Sequence, residues 1–306
     1  MRPKISVLLP VYNCCKHVAA SINSILNQSF TDIELIIIDG GSTDCTLNVV
    51  RSFRDERIRV FTHTERMPLI ESLNEGIHVA NACLIARQDA DDISQPQRLA
   101  SQYERFCADK NLVVLGTACF CVDEAGRFIG KAFPKEKVVF TDFKRNNEIR
   151  HGSVMFRKDV ILKEGLYDPL FREVEDYELW CRLSQKNYKI ANLSEFLYTY
   201  RLHKSSLSER NYQESILWYC IVEEVYFGGL EKTRIDAAFS WDFGYLYNLL
   251  SPETRKEYHR HLIAHYMTSK KYLHELREFW SLTKIDPRES SSLLREIMLE
   301  RARLTG

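Results

Sequence analysis

The chain has 306 residues, of which 45% are hydrophobic and 27% are charged. This composition can form a large buried core and excludes a disordered protein. Lys plus Arg and Asp plus Glu both number 42, so the net charge is zero. Proteins that bind nucleic acid through its phosphates usually carry an excess of basic residues, so we expect no nucleic-acid partner.

Nine cysteines are present, and no two of them form a Cys-x-x-Cys pair. Cys119 and Cys121 are spaced too closely for the usual zinc ligand pair. We therefore expect free thiols, most of them buried, in a reducing cytosol. The apolar run Ile5–Leu9 is too short for a signal peptide, and no window approaches the roughly 18 apolar residues of a membrane span. The expected location is the cytoplasm, either free or peripheral at the inner face of the cell membrane.

Short apolar runs alternate with helical patterns along the first part of the chain. The predicted strands are Ile5–Leu9, Ile33–Ile38, Ile58–Phe61 and Leu84–Ala86, and the predicted helices are His17–Gln28, Thr46–Phe53 and Leu69–Asn81. Strands that are apolar on both faces and alternate with helices are typical of a parallel sheet covered on both sides. Right-handed crossovers then give a doubly wound, mostly parallel α/β sheet, which binds ligands at the carboxyl ends of its strands.

The pattern becomes less regular beyond Pro96. The further predicted elements are helix Gln97–Ala108, strands Leu112–Leu115 and Val154–Phe156, helix Tyr177–Gln185 and the extended segment Phe196–Leu202. Long aromatic-rich helical stretches follow, so we predict two domains, 1–205 and 206–306, the second mainly helical. The second is either a subdomain that packs on the sheet or on another subunit, or an amphipathic region that lies on a membrane surface. The membrane alternative rests on the aromatic residues together with basic residues from Lys270 onward. The oligomeric state is not predicted.

An acidic segment, Asp89-Ala90-Asp91-Asp92, directly follows the predicted strand at 84–86. Carboxylates this close repel one another and raise one another's pKa values, and a divalent cation removes that repulsion. Mg2+ and Mn2+ prefer a few carboxylates together with water and phosphate oxygens. The segment is therefore a candidate metal site; the alternative is an acidic surface loop in which Asp92 caps a turn.

Two further polar segments follow the first two predicted strands. In the segment 39–44 the two glycines allow a close approach of the backbone to a ligand, and Ser42 or one of the two residues after it can cap the next helix. Asp39, at the strand end, can accept a hydrogen bond from a base N–H or a ribose hydroxyl. In the segment 10–13 the ring of Tyr12 lies in reach of a nucleotide base. Each segment taken by itself is equally consistent with an ordinary turn.

Seven stretches together make the chain recognisable. They are ISVLLPVYN (5–13), SINSILNQSF (21–30), ELIIIDGGSTD (34–44), ARQDADDIS (86–94), HGSVMFRKD (151–159), EDYELWCRL (175–183) and YRLHKSSLS (200–208). In their order and spacing the chain resembles the inverting glycosyltransferases of family 2, which have the GT-A fold. The resemblance covers roughly residues 4–208 and leaves 209–306 uncovered.

The resemblance implies roles for individual residues. The DxD motif of the family falls on Asp89 and Asp91, which would hold Mn2+ or Mg2+ against the donor diphosphate. Asp91 is favoured as the direct metal ligand, and Asp92 is a neighbour without an assigned role. The base-binding aspartate of the family falls on Asp39, where many members have a second Asp in place of Gly40.

The catalytic base of the family falls on the pair Glu175-Asp176. Inversion at a sugar carbon requires the acceptor hydroxyl to attack from the face opposite the diphosphate, where a carboxylate can take its proton. We favour Asp176 as this base, with Glu175 second. Without the resemblance, both acids would simply suit the N-terminus of a helix.

Other residues match positions that line the same site in the family. The candidate nucleotide-sugar ligands are Pro10, Tyr12, Asn13, Asp39, Ser42, Arg87, Asp89 and Arg201. His203 can complete the metal shell or contact the diphosphate, and His151 lines the site without an assigned role.

The function implied by the resemblance is transfer of a hexose of glucose, galactose or N-acetylglucosamine type from UDP to an acceptor hydroxyl, with formation of a β linkage. The expected acceptor is a sugar linked to polyprenyl diphosphate, or another oligosaccharide, in the assembly of an O-antigen or capsule repeat. One alternative is a nucleotidyltransferase, which would need a glycine-rich basic loop where this chain has Pro10-Val-Tyr-Asn. The other is a non-catalytic binder of nucleotide sugars, in which we expect the acids to be lost.

Overall fold

The computed structural model describes residues 2–144, 147–202, 212–235 and 243–268. The chain divides into two compact units, Met1–Ser206 and Leu207–Gly306. The first unit is a mixed α/β fold built on a ten-stranded sheet, and the described part of the second unit is helical.

The sheet of the first unit is parallel in one half and mixed in the other. Its strands are β1 (Ile5–Val11), β2 (Ile33–Asp39), β3 (Ile58–Thr62), β4 (Leu84–Arg87), β5 (Ile93–Ser94), β6 (Leu112–Val122), β7 (Phe128–Ala132), β8 (Lys137–Val138), β9 (Met155–Arg157) and β10 (Lys189–Arg201). Their order is β3-β2-β1-β4-β9-β6-β10-β5, with β7 paired to β6 and β8 to β10. The predicted parallel arrangement is confirmed for β3, β2, β1 and β4. In the other half β9 runs antiparallel to both neighbours, while β6 and β10 are parallel to each other.

The helices of the first unit agree with the sequence prediction, except that one short helix was not foreseen. They are α1 (Val18–Leu26), α2 (Thr46–Ser52), α3 (Leu69–Val79), α4 (Arg98–Ala108), α5 (Lys158–Lys163) and α6 (Glu175–Gln185). Among the α-helices in the described part of this unit, α5 alone was not predicted, because six residues are too few to show a helical repeat of apolar side chains.

Every residue of β1 and β2 is buried, because helices cover both faces of these strands. On one face, Leu9 packs in the same cluster as Ile22 of α1 and Leu99 of α4. On the other face, Gly76 of α3 lies so close to Leu8 that a Cβ atom on this glycine would overlap the leucine side chain. This double covering explains why the strands are apolar at every position instead of at alternate positions.

The expectation that all cysteines are free is wrong. Cys15 and Cys45 form a disulfide, with their Cα atoms 5.4 Å apart. They follow β1 and β2, which are adjacent and parallel, so residues 30 positions apart in the chain become neighbours. Spacing along the sequence does not reveal such a pair. The other cysteines are free thiols, of which Cys119, Cys181 and Cys220 are buried and Cys83 and Cys107 are exposed.

The second unit is described over three helices: α7 (Tyr212–Glu223), α8 (Phe243–Leu249) and α9 (Pro252–Thr268). Trp218 of α7 is buried, and the buried Glu224 accepts hydrogen bonds from the backbone and the hydroxyl of Ser251. Across the described ranges, no helix combines the length and apolar character needed to span a bilayer. The basic residues from Lys270 onward, on which the membrane-surface alternative partly rests, lie outside the described residues.

Candidate active site

The loops after β1 and β2 form one wall at the carboxyl end of the sheet, and Asn13 joins them. Its Oδ1 accepts hydrogen bonds from the backbone N–H groups of Thr43 (2.8 Å) and Asp44 (3.3 Å). The Asn13 N–H donates to Ser42 Oγ (3.0 Å), and the Ser42 N–H donates to Asp39 Oδ1 (3.2 Å). Asn13 has a φ of 46°, a left-handed conformation that asparagine adopts more readily than most residues. The predicted residues of both loops therefore lie together in one hydrogen-bonded unit.

Tyr12 lies exposed at the tip of this wall, with a cation against its ring. The guanidinium carbon of Arg66 is 3.5 Å from the centroid of the Tyr12 ring. Arg66 belongs to the loop after β3, which reaches Gly40 so closely that a Cβ there would meet the carbonyl of Met67. Pro10, by contrast, is buried within β1 and pairs with Ile38, so it shapes the strand end from inside.

The acidic segment leaves β4 and is held by neighbouring strands. Arg87, the last residue of β4, is buried and forms an ion pair with Asp89. The Asp89 N–H donates to the hydroxyl of Tyr198 in β10 (3.1 Å). Asp92 Oδ1 accepts a hydrogen bond from the N–H of Arg201, also in β10 (2.7 Å). Strand β10 therefore fixes both ends of the segment, while the side chain of Asp91 between them is half-buried.

The negative charge of this segment is only partly balanced by the protein. Burial raises the pKa of Asp92 well above its usual value, and the neighbouring Asp89 and Asp91 raise it further. Burial also raises the pKa of Asp89, although Arg87 opposes that effect. Asp92 Oδ2 is buried and has no hydrogen-bond partner in the described structure. These observations fit a site that receives a positive charge from outside the chain.

The same residues do not form a complete metal cage. Within the described part of the chain, no group of three or more His, Cys, Asp and Glu side chains is arranged to hold a metal ion. Mg2+ and Mn2+ bound with nucleotides usually have one or two carboxylate ligands, and phosphate oxygens and water complete the shell. The arrangement of Asp89, Asp91 and Asp92 therefore fits a cation that arrives together with a diphosphate.

Behind the acidic segment lies a buried polar cluster that the sequence reasoning missed. Gln88 is fully buried, and its Nε2 donates to the backbone oxygens of Asp89 (3.1 Å) and Asp92 (3.0 Å). Its Oε1 accepts hydrogen bonds from Arg98 Nη1 (3.0 Å) and Ser94 Oγ (2.6 Å). Arg98, also fully buried, donates from Nη2 to the last carbonyl of β4 (2.6 Å). Because buried polar groups must keep their hydrogen bonds, this cluster fixes the backbone that presents the acids.

The second acid pair begins α6, where the free N–H groups of the helix favour negative charge. Asp176 Oδ2 accepts a hydrogen bond from Asn147 Nδ2 (2.9 Å), and its Oδ1 accepts one from the Tyr177 N–H (2.7 Å). Burial raises the pKa of Asp176, but these two hydrogen bonds oppose the rise. Burial and the adjacent Asp176 raise the pKa of Glu175 to about 8. Asp176 is therefore the member of the pair that ionises first.

His151 lies against the second acid pair. Its Nδ1 is 3.7 Å from Glu175 Oε1, and its Nε2 is 2.8 Å from the hydroxyl of Tyr167. Burial lowers the pKa of His151 well below its usual value, and Arg87 lowers it further. A neutral imidazole next to a protonated carboxyl group is not an ion pair, so His151 packs in the site without contributing charge. His203, predicted for the metal shell, lies outside the described residues.

Arg201 connects the acidic segment to the turn after β6. Its Nε donates to the backbone oxygen of Asp91 (2.9 Å), and its Nη1 donates to those of Asp123 (3.3 Å) and Glu124 (3.2 Å). The structure therefore places Arg201 at the predicted site and gives it an anchoring contact. Its contact with a diphosphate stays a prediction.

Sequence comparisons identify the family of this chain. The model of the family described as Glycosyl transferase family 2 matches residues 6–163. The chain belongs to glycosyltransferase family 2. The O-antigen biosynthesis glycosyltransferase WbnJ of Escherichia coli is 37% identical over 210 residues, which are 66% of this chain and 81% of that protein. The UDP-Glc:alpha-D-GlcNAc-diphosphoundecaprenol beta-1,3-glucosyltransferase WfgD of Escherichia coli is 28% identical over 214 residues, 69% of this chain and 81% of that protein.

Solved structures of similar fold include that of S. aureus TarS 1-349 in complex with UDP-GlcNAc. The TarS chain superimposes on this glycosyltransferase with a TM-score of 0.61 at 16% identity, covering 94% of this chain and 92% of its own. At this level of identity the likeness concerns the fold alone. It confirms the GT-A fold that the sequence resemblance implies.

Sequence reasoning missed five residues at the site, of which Asn147 and Tyr198 hydrogen-bond to the predicted acids and three are arginines with other partners. They are Arg66, Arg98, Asn147, Arg150 and Tyr198. One signal was available: members of the family often have Met where this glycosyltransferase has Gln88. A polar residue at the end of a buried strand needs polar partners, and Arg98 and Ser94 are those partners.

Proposed function

We propose that this glycosyltransferase moves a hexose from UDP to an acceptor hydroxyl with inversion, so that an α-linked donor gives a β linkage. The observation that carries the proposal is the presence of two separate acid groups in one site. One is the segment 89–92 after β4, and the other is Glu175-Asp176 at the start of α6. Inverting transfer needs positive charge at the leaving diphosphate, which a cation held by the first acid group would supply. It also needs a carboxylate at the attacking hydroxyl, which the second acid group would supply.

Asp176 acts as the base in this proposal. Its ionised form accepts hydrogen bonds from Asn147 and from the backbone of α6, whereas Glu175 stays largely protonated near neutral pH. The acceptor O–H gives its proton to Asp176 as its oxygen forms a bond to the sugar C1. The bond from C1 to the phosphate oxygen breaks at the same time, and UDP leaves with that electron pair.

Asp91 and Asp89 would hold Mn2+ or Mg2+ in this site. When bound, the cation acts as a Lewis acid and stabilises the charge that develops on the leaving diphosphate. The raised pKa of Asp92 and its unpartnered Oδ2 support a cation at this position. Arg87 and Arg201 fix the segment from the strand side, so the carboxylates do not need to reorganise when the donor binds.

The nucleotide would lie on the wall formed by the loops after β1 and β2. Asp39 is almost fully buried at the strand end, where its carboxylate can accept hydrogen bonds from the base or the ribose. The exposed ring of Tyr12 offers a stacking face, and Asn13 and Ser42 hold the two loops in register. Backbone and side-chain groups of this kind bind nucleotides in doubly wound sheets.

The proposed acceptor is a sugar on polyprenyl diphosphate, and the proposed process is assembly of an O-antigen or capsule repeat. The names of two relatives support this: WbnJ is an O-antigen biosynthesis enzyme, and WfgD is named for action on GlcNAc-diphosphoundecaprenol. Such an acceptor lies at the cytoplasmic face of the membrane, so the protein would work in the cytoplasm at that surface. Residues 206–306 would then serve acceptor, membrane or subunit contact.

The test is UDP release from a panel of UDP-sugars, in Mn2+ or in EDTA, with and without a synthetic GlcNAc-diphosphate-lipid acceptor. We expect UDP release with one donor, dependent on the metal and raised by the acceptor. Release of pyrophosphate instead would identify a nucleotidyltransferase. Calorimetric binding of UDP without any release from the panel would identify a non-catalytic binder, and preferential binding of GDP or dTDP would overturn the choice of UDP.

A further inference from the structure

Arg150 is an exposed cation on the wall of the site, and no role has yet been given to it. Its guanidinium carbon lies 4.5 Å from the centroid of the Tyr200 ring. Among the described residues, no carboxylate pairs with it and no oxygen accepts from its guanidinium N–H groups. Stacking on an aromatic ring holds an arginine in place while its N–H edge stays open for a ligand.

The neighbours of Arg150 place it within the site. The next residue, His151, lies against Glu175, and after it Gly152 is packed against Asp89. Tyr200, under the guanidinium, directly precedes Arg201, whose N–H holds Asp92. Arg150 therefore lies beside both acid groups of the site.

Arg150 acts electrostatically on both acid groups, because it opposes the rise in the pKa of Asp89 as well as that of Asp176. Burial raises the pKa of Asp176, and Arg150 is one of the cations that oppose this rise. Arg150 keeps exposed surface but is partly enclosed by its neighbours. Burial lowers its pKa, but nearby groups, among which Asp176 is the carboxylate, raise it above the ordinary value. Arg87 and Arg201 already contact the segment 89–92, where the leaving diphosphate would lie. The acceptor hydroxyl must approach Asp176, so Arg150 is the arginine of this group that is available to the acceptor.

We propose that Arg150 binds an oxyanion carried by the acceptor, a phosphate or a carboxylate, and so selects charged acceptors over neutral ones. This inference rests on the proposed function and adds the substrate class of its acceptor side. A guanidinium edge matches the two oxygens of a phosphate or carboxylate in a bidentate pair, which a neutral sugar hydroxyl cannot form. A diphosphate next to the acceptor sugar and a uronic acid within the acceptor are the two sources of such a group.

The test compares acceptors that differ only in charge. GlcNAc on a diphosphate-lipid, GlcNAc on a neutral alkyl chain and a uronic-acid-terminated disaccharide on the same alkyl chain are used with the active UDP-sugar. We expect wild type to prefer one of the charged acceptors, and which of them is preferred identifies the source of the oxyanion. In R150Q the ratio of kcat/KM for that acceptor over the neutral one should fall about 10- to 100-fold, the range expected for a charge-assisted hydrogen-bonded pair.

Two further variants separate binding from structure. R150K keeps the charge without the bidentate edge, so its ratio should lie between those of wild type and R150Q. R54Q removes an exposed arginine that bonds only to the backbone of Arg51 in the described structure, and it should keep the wild-type ratio. Thermal denaturation shows whether each variant folds. If R150Q does not fold, the acceptor ratio of R150K provides the test.

Several results would overturn the inference. An unchanged acceptor ratio in R150Q would assign Arg150 a structural role. Weaker calorimetric binding of UDP with an unchanged ratio would assign it to the donor. If the protein turns over none of the three acceptors, the binding of the diphosphate-lipid to the UDP-bound protein is measured by calorimetry. Equal affinity in wild type and R150Q would then reject the inference. Absence of UDP release from every donor, with tight acceptor binding that depends on Arg150, would instead reject the proposed function alone.

Discussion

A single methyl group at Gly152 should disable the site with little damage to the fold. Gly152 is buried in the short turn His151–Ser153, and its backbone φ is one that alanine can adopt. A Cβ at this position would overlap Asp89 Oδ2 and the hydroxyl oxygen of Tyr198, and it would lie 2.9 Å from Tyr198 Cζ. The Tyr198 ring is fully buried, with Arg98 5.0 Å from its centroid, so the ring cannot move away. The Asp89 carboxylate must therefore move, and the turn 151–153 must shift away from the Tyr198 hydroxyl.

The size of the effect follows from this overlap. Relief to an ordinary contact of about 3.5 Å requires Asp89 to shift by about 1 Å. A misplacement of that size in a site costs about 100-fold in turnover. Overpacking of a buried position costs about 1–3 kcal/mol, which lowers the Tm of a domain of this size by about 2–12 °C. We therefore expect G152A to remain folded at 25 °C with turnover reduced about 100-fold.

The assay is UDP release at saturating donor and metal, with thermal denaturation of the same samples. The matched control is G130A: the site of its Cβ has no heavy atom within 4 Å, so both turnover and Tm should stay near wild type. Wild-type turnover in G152A would refute the packing argument. Loss of folding in G152A would show instead that the packing of the turn 151–153 is needed for the stability of the fold as well as for the position of Asp89.

Four further predictions concern the acids and their support. D91A should abolish transfer if Asp91 holds the proposed metal, yet keep the wild-type Tm, because a half-buried carboxylate contributes little to the core; unaltered turnover would contradict the metal assignment. D176N should bind UDP-sugar in calorimetry but lose about 100- to 10,000-fold in turnover, because an amide cannot take the proton; if binding disappears and E175Q alone stops turnover, the two roles are exchanged. Glu175 keeps its proton in the folded state up to pH of about 8 but loses it near 4.5 when unfolded, so stability should fall as pH rises through this window, and E175Q should flatten the decline of Tm. Q88M should lower the free energy of unfolding in urea by about 1–3 kcal/mol, because it leaves buried partners unsatisfied; unchanged stability would show that the buried cluster is not needed.

The first half of the sheet was predictable because the signals for its strands and helices lie within short segments of the sequence. In β1 and β2 every residue is buried, and the apolar runs, the turn residues and the helical spacing of α1 to α3 all indicate the same arrangement. The second half was harder, because β5 and β8 have two residues each and show no periodic signal. Their strand character comes from pairing with β10, which lies far along the chain.

The site was predictable at its acids and not at their partners. Asp89, Asp91, Glu175 and Asp176 stand in recognisable motifs, but their pKa values and orientation depend on contacts between distant segments. Asn147 meets Asp176 across 29 positions, and Tyr198 meets Asp89 across 109. Cys15 and Cys45 are a third example, because their pairing follows from the parallel register of β1 and β2. Sequence spacing carries no information on such contacts.

The hydrogen bond from the Arg201 N–H to Asp92 spans 109 positions, and it dictates when the site comes into existence. A nascent chain exposes its acidic segment long before β10 has left the ribosome, and until then those acids lack the strand that fixes them. If the proposed function holds, a nucleotide-sugar donor would therefore bind only the completed first unit, since a ligand stabilises just the state that binds it. Donor binding would thus report that synthesis has passed β10, and a chain that stops short of this strand would gain no protection from the donor nucleotide.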